Sequence, residues 1–287
     1  MSSRTCFGIS PGNQQILKQV QDDKIKLNSM KKEKLTLVKV GGKVVEESDS
    51  LQDLLSRFSL LDGHKVLVHG GGRSATAIAE RLGIKTKMVD GRRITDQATL
   101  EVVTMVYGGL VNKKIVAQLQ ASGVNAVGLT GADLNYMQAV KRPVKDIDYG
   151  FVGDVVSVHV DELKLLVEKN VVPVLAPLTH DKNGQLLNTN ADTIAAEAAI
   201  GFSQFFDVEL VFCFEKPGVL ENADDDNSVI QSLNHTGFKA LQASGAIHAG
   251  MIPKLDNSFN AISKGVSQVR ITNIPGLQKG GTTLLPD

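Results

Sequence analysis

The stretch "KVLVHGGGRSATAIAERLG", residues 65–83, carries three instructions in one short run. Its β-branched opening reads as a strand, Gly70, Gly71 and Gly72 as a sharp elbow, and the Ala-rich remainder as a helix stopped at Gly83. Strand, elbow and helix open a βαβ unit, so the stretch predicts a largely parallel sheet with helices on its faces. Glycines let the backbone approach a ligand closely. A helix start adds unsatisfied N–H donors and a partial positive charge, so the elbow is a candidate cradle for phosphate or carboxylate.

The same pattern recurs upstream. "LTLVKVGG" (35–42) is a strand that delivers Lys39 and turns at Gly41 and Gly42 before a helix over 50–61. Two such elbows at strand C-terminal ends favour binding over simple turning, because ligands on open α/β sheets gather there. Downstream, Thr95 is expected to cap a long helix over 96–123. Gly108 and Gly109 interrupt it and invite close approach by another helix, within the molecule or across a dimer seam. A strand over 125–131, a hairpin around "PVKDIDYG", a helix over 161–169 and a buried strand over 171–177 follow. "LLNTNADTIAAEAAIG" (186–201) approaches another helix with Asn188, Asn190 and Asp192 on alternate positions, more polar groups than one cap requires. A strand over 207–214, a solvated acidic loop over 221–228, helices over 236–245 and 251–265 and two closing strands complete the pattern. Residues 1–34 are polar and weakly periodic and read as a disordered N-terminal extension, with Met30 a plausible start.

Composition removes several classes of function. Lys plus Arg equals Asp plus Glu at 31 each, so there is no basic surplus to steer toward nucleic acid or anionic membrane. Cys6 and Cys213 fit neither a zinc nor a disulfide framework, and no apolar run reaches the roughly 18 residues of a membrane span. A cytoplasmic setting is expected. P-loop, dinucleotide-binding, nucleophile-elbow and zinc-protease motifs are all missing. His69, beside the triple glycine, reads as structural at least as well as functional. Three cations stand out: Lys39 at the end of an apolar strand, Arg93 in "GRRIT", and Lys254 one helical turn after Gly250. As a set they suit a reaction that develops negative charge on oxygens.

The ordered series "KVGG" (39–42), "HGGG" (69–72), "GRRIT" (91–95), "NTNAD" (188–192) and "GMIPK" (250–254) resembles the amino acid kinase family, over roughly residues 35–285. The resemblance implies an open, three-layer αβα sandwich with a mainly parallel central sheet. A lobe over about 35–180 would bind an N-acylated glutamate and dimerise, and one over about 181–287 would bind ATP. The implied reaction passes the γ-phosphoryl group of ATP to the side-chain carboxylate, with N-acetyl ranked ahead of N-succinyl and a catalytically silent sensor last. Carried over by motif, Lys39 and Lys254 would stabilise the transferring group, and Asp192 would hold both lysines. Gly71, Gly72, Arg93, Asn188 and Asn190 would bind substrate. Gly41, Gly42, Gly70, Glu215, Lys216, Gly218, Gly250 and Met251 would serve phosphates and nucleotide, with the glycine elbows donating backbone N–H groups. Mg²⁺ would arrive on the phosphates of ATP, with no metal-binding cage in the protein.

The chain departs from the family in "FCFEKPGVL", where Glu215, Lys216 and Pro217 replace a commoner D-V-S-G type sequence, and in "TGADLN" (130–135). The C-terminal segment lacks the His and Glu of arginine-inhibited relatives. A homodimer insensitive to arginine is therefore expected.

Overall fold

The computed structural model describes residues 32–89, 91–222, 224–245, 247 and 251–287. Met30, nearly all of the expected extension, and Gly250 lie outside the described residues. Lys34–Asp287 forms one unit.

In chain order the strands are β1 (Lys34–Val40), β2 (His64–His69), β3 (Lys87–Val89), β4 (Arg92–Ile94), β5 (Ala126–Leu129), β6 (Met137–Lys141) and β7 (Gly153–Val158). They continue with β8 (Val172–Leu175), β9 (Leu178–His180), β10 (Leu186–Asn188), β11 (Asp207–Phe214), β12 (Ser232–Asn234), β13 (Gln268–Asn273) and β14 (Thr282–Leu285). The helices are α1 (Gly42–Glu46), α2 (Ser48–Ser59), α3 (Gly72–Arg81), α4 (Gln97–Val103), α5 (Asn112–Ala121), α6 (Asp161–Glu168), α7 (Ala191–Ser203), α8 (His235–Ala243) and α9 (Ile252–Ser263).

The central sheet has eight strands in the order β12-β14-β13-β11-β1-β2-β8-β5. From β13 across to β5 every neighbouring pair is parallel, and β14 runs against β13. Alternate residues of a strand face opposite ways, and β1 shows the consequence. Leu35 and Leu37 enter one apolar core with residues of α6, α7, α8 and α9, whereas Val38 and Val40 enter the other with α1 to α5. The expected αβα sandwich is thus present, with a core on each face. A smaller sheet, β10-β9-β6-β7, contains the expected hairpin as β6 and β7, and β3 pairs with β4 alone.

Lys39 shares the face of Leu35 and Leu37, so its side chain rises on the side where α7 and α9 lie. Helix α7 is apolar nearly all round because it is buried, and its small residues let it lie close to its neighbours. A Cβ at Gly201 would come within 2.9 Å of Val160 Cγ1.

Two details differ from expectation. Thr95 does not cap the long helix; Asp96 does, accepting from Thr99 N at 2.8 Å. Between α4 and α5 the helix does not simply continue but widens to a π-helical stretch, Thr104–Val111, which contains the glycine pair. Among the described residues nothing lies within 4 Å of a Cβ built at Gly109. Among the described residues no helix is long and apolar enough to cross a membrane.

Candidate active site

Because β1, β2, β8, β11 and β13 run the same way, their C-terminal ends share one edge, and both glycine elbows stand there. The elbows nearly touch. A Cβ on Gly70 would lie 3.4 Å from Gly42 N, and one on Gly42 would lie 3.9 Å from Gly72 N and 4.0 Å from Gly71 N. Glu46, closing α1, accepts from Ser74 N at 2.7 Å and so ties the first elbow's helix to the second's.

Not every glycine is a donor, contrary to the expectation from sequence. Gly41 N already donates to Cys213 O at 3.1 Å, and Gly70 N to Val40 O at 3.2 Å, continuing the sheet ladder. These two shape the turn. Gly42 and Gly72 are the first residues of α1 and α3, and Gly71 caps α3. Their N–H groups make no backbone hydrogen bond among the described residues. Three convergent donors remain, which is an anion cradle.

Beside the cradle, Asp192 in the first turn of α7 joins two lysines. Lys39 Nζ lies 2.6 Å from Asp192 Oδ1, and Lys254 Nζ, from α9, lies 2.5 Å from Oδ2. Lys39 and Asp192 are only 9% and 8% exposed. Burial pushes the Asp192 carboxyl upward, but Lys39 and Lys254 outweigh it and hold the group at about 2. Burial lowers the Lys39 ammonium, Asp192 opposes that shift, and the like charge of Lys254 adds to it. A carboxylate on both lysines thus keeps two ammonium groups together that would otherwise repel.

The other expected residues divide. Arg93 is buried, and its Nη2 donates to Gly72 O at 2.7 Å and Thr76 Oγ1 at 2.9 Å, with Nη1 to Thr86 Oγ1 at 3.2 Å. It braces the second elbow and also reaches the Tyr107 hydroxyl. Asn188 donates to Thr95 Oγ1 at 3.0 Å. Thr189, between the two asparagines, points inward and meets Thr179 Oγ1 at 2.8 Å. Asn190 is the cap of α7, its Oδ1 accepting from Asp192 N at 2.7 Å. Glu215 and Lys216 are exposed beyond β11, and Lys216 reaches Asp226 at 2.8 Å in the acidic loop. Gly218 is buried where a Cβ would fall 2.7 Å from Thr282 Oγ1, so packing requires a glycine. Met251 caps α9 and is half-buried.

Sequence reasoning missed Tyr107. The π-helical stretch brings its ring so close to the second elbow that a Cβ on Gly71 would lie 2.9 Å from Tyr107 Cδ1. Ordinary helical periodicity could not have placed it. The surroundings of His69 were also missed. His69 is fully buried, its Nδ1 2.7 Å from Gly70 O and its Nε2 3.2 Å from Asn112 Nδ2, and burial lowers its pKa to about 4.

The profile of the amino acid kinase family matches residues 34–273. The chain belongs to the amino acid kinase family. Its reaction class is phosphoryl transfer. A relative from Phocaeicola vulgatus named acetylglutamate kinase is 61% identical over 254 residues, covering 88% of this chain and 99% of that one. Among solved structures, N-acetylglutamate synthase from Neisseria gonorrhoeae, complexed with coenzyme A and N-acetyl-glutamate, superposes with a TM-score of 0.74 at 19% identity. That match covers 94% of this chain and 63% of the synthase chain. Carbamate kinase from Giardia lamblia bound to AMP-PNP gives 0.60 at 14% identity, covering 90% of this chain and 100% of that one. At these identities the two structures speak for the fold.

The shared carboxylate has a measurable consequence. Asp192→Asn removes the charge that holds Lys39 protonated, so kcat should fall by about 100-fold or more. The alkaline limb of the residual kcat profile should also move to lower pH, because burial and Lys254 then act on Lys39 unopposed. A pH–rate profile measures both, and an unmoved limb would contradict the role given to Asp192.

Proposed function

We propose that the chain transfers the γ-phosphoryl group of ATP to the side-chain carboxylate of N-acetyl-L-glutamate, giving N-acetylglutamyl 5-phosphate and ADP. This is the second step of the acylated route from glutamate to ornithine and arginine. The observation that carries the reading is the Lys39–Asp192–Lys254 cluster beside the glycine cradle, with Lys39 and Asp192 buried and Lys254 half-buried. The names of close relatives support the acetyl substrate and do not favour an N-succinyl substrate or a silent sensor.

The chemistry fits the residues. A carboxylate nucleophile is already ionised at neutral pH, so no general base is needed. One carboxylate oxygen attacks the γ-phosphorus as the bond to the ADP oxygen breaks. Both reactants are anions, and the enzyme's task is to bring them together and stabilise the equatorial oxygens. Lys39 and Lys254 supply the charge, and the N–H groups of Gly42, Gly71 and Gly72 supply directed donors. The positive charge of Arg93 suits the backbone carboxylate of the acylglutamate, and Asn188 suits its amide. Asn190 keeps only its amide N–H groups for substrate.

Residues from about 35 to about 180 form the acylglutamate side, and those beyond, with the segment 215–218 and Met251, the nucleotide side. Mg²⁺ carried in on ATP would neutralise phosphate charge. Among the described residues no three His, Cys, Asp or Glu side chains are placed to hold a metal ion together, and both Asp192 oxygens face lysines. The protein works in the cytoplasm as an arginine-insensitive homodimer. Met105 and Leu110, 55% and 56% exposed on the π-helical stretch, give that dimer an apolar seam.

Incubation with ATP, Mg²⁺ and N-acetylglutamate in the presence of hydroxylamine should yield the acyl hydroxamate. N-succinylglutamate should yield less, and free glutamate and aspartate none. Folded protein that makes no hydroxamate from N-acetylglutamate would overturn the assignment. Light scattering should give roughly twice the 30.7 kDa chain mass, and a hexamer or a monomer would rule out the dimer.

A further inference from the structure

Gly70 and Gly71 are joined by one peptide unit, and a trans peptide points its C=O and N–H in opposite directions. Whatever holds Gly70 O on one side therefore aims Gly71 N–H at the other. His69 holds it, with Nδ1 at 2.7 Å. A carbonyl oxygen can only accept, so the proton sits on Nδ1 and Nε2 is left as an acceptor. Asn112 supplies the matching donor. One N–H of its Nδ2 faces His69 Nε2 at 3.2 Å, and the other reaches Val174 O at 2.9 Å. Lys113 fixes which end of the amide is which, donating to Asn112 Oδ1 at 3.2 Å and to Gly128 O at 2.9 Å. Gly128 makes room, since a Cβ there would lie 1.7 Å from Asn112 Oδ1. From Gly70 O to Asn112 Oδ1 each polar side-chain atom of His69 and Asn112 has its partner.

We propose that His69, its tautomer set by Asn112, is a positioning residue for phosphoryl transfer: by holding Gly70 O it keeps Gly71 N–H aimed into the cradle. A peptide between two glycines has little steric resistance to rotation. Rotated by half a turn, this one would present a carbonyl oxygen to the transferring phosphoryl group and replace an attraction with a repulsion. The His69–Asn112 link holds the unit in the donating orientation before substrate arrives. This inference rests on the phosphoryl-transfer reading above and adds a residue that touches neither substrate nor nucleotide.

The test compares His69→Asn, His69→Gln and His69→Leu. Asn places an amide donor near the position of Nδ1, Gln places one near Nε2, and Leu has none. His69→Asn should keep kcat within a few-fold of the parent, whereas the Gln and Leu variants should lose at least about tenfold in kcat, with KM for N-acetylglutamate little changed. If Leu fails to fold, the Asn and Gln pair decides. AMP-PNP affinity relative to ADP reads the same peptide without any acceptor, so it separates this proposal from the choice of acylglutamate. The ratio should fall for Gln and hold for Asn. Asn no better than Gln in both readouts, or Leu with full kcat, would overturn the proposal and leave His69 as packing alone.

Discussion

The carboxylate of Asp192, shared by Lys39 and Lys254, is the contact on which the rest of the site depends. The three groups come from a strand, the first turn of one helix and the first turn of another, separated in sequence by more than the length of any local motif. Two ammonium groups so close would repel, and burial would favour losing the proton of Lys39. Asp192 prevents that from the start of α7, where the unsatisfied N–H groups of the helix already favour negative charge. Removing one member of such a cluster leaves a buried charge without compensation.

The sheet supplies the second constraint. Parallel strands bring β1, β2 and β11 to a common edge, and the elbows after β1 and β2 face each other across less than the width of a side chain. A Cβ at Gly70 would just touch Gly42, whereas one at Gly71 would run into the Tyr107 ring. The consequence is a small surface of backbone donors beside a pair of cations, matched to oxygens that gain charge during phosphoryl transfer. Braces outside the cradle fix its shape: Arg93 and Glu46 on α3, and His69 with Asn112 beneath the second elbow.

Much of this was legible in the sequence wherever a residue's role followed from its own element. The run 207–214 reads as a strand and is one, over Asp207–Phe214, because eight residues rich in β-branched and aromatic side chains carry an unmistakable pattern. Lys39 stood out as a charge ending an apolar strand, and the alternation of Asn188, Asn190 and Asp192 announced a divided task. That division is real in geometry, since Asn190 caps α7 while Asp192 meets the lysines. Short pieces were not legible. Strands β3, β4, β9, β10 and β12 have three residues each, too few for periodicity. Nor could sequence show that Thr95 belongs to Asn188 rather than to a helix cap, or that Asn112 belongs to His69. Those partners lie far along the chain, and the π-helical stretch that turns Tyr107 onto Gly71 breaks the very period by which helices are read.

The central claim is that Lys39 and Lys254 act on the transferring phosphoryl group and not on ground-state binding. Steady-state kinetics of Lys39→Ala and Lys254→Ala test it most directly. Each should lose about 100-fold or more in kcat, with KM for N-acetylglutamate within a few-fold of the parent. Unchanged kcat in both variants, or a loss confined to KM, would contradict it.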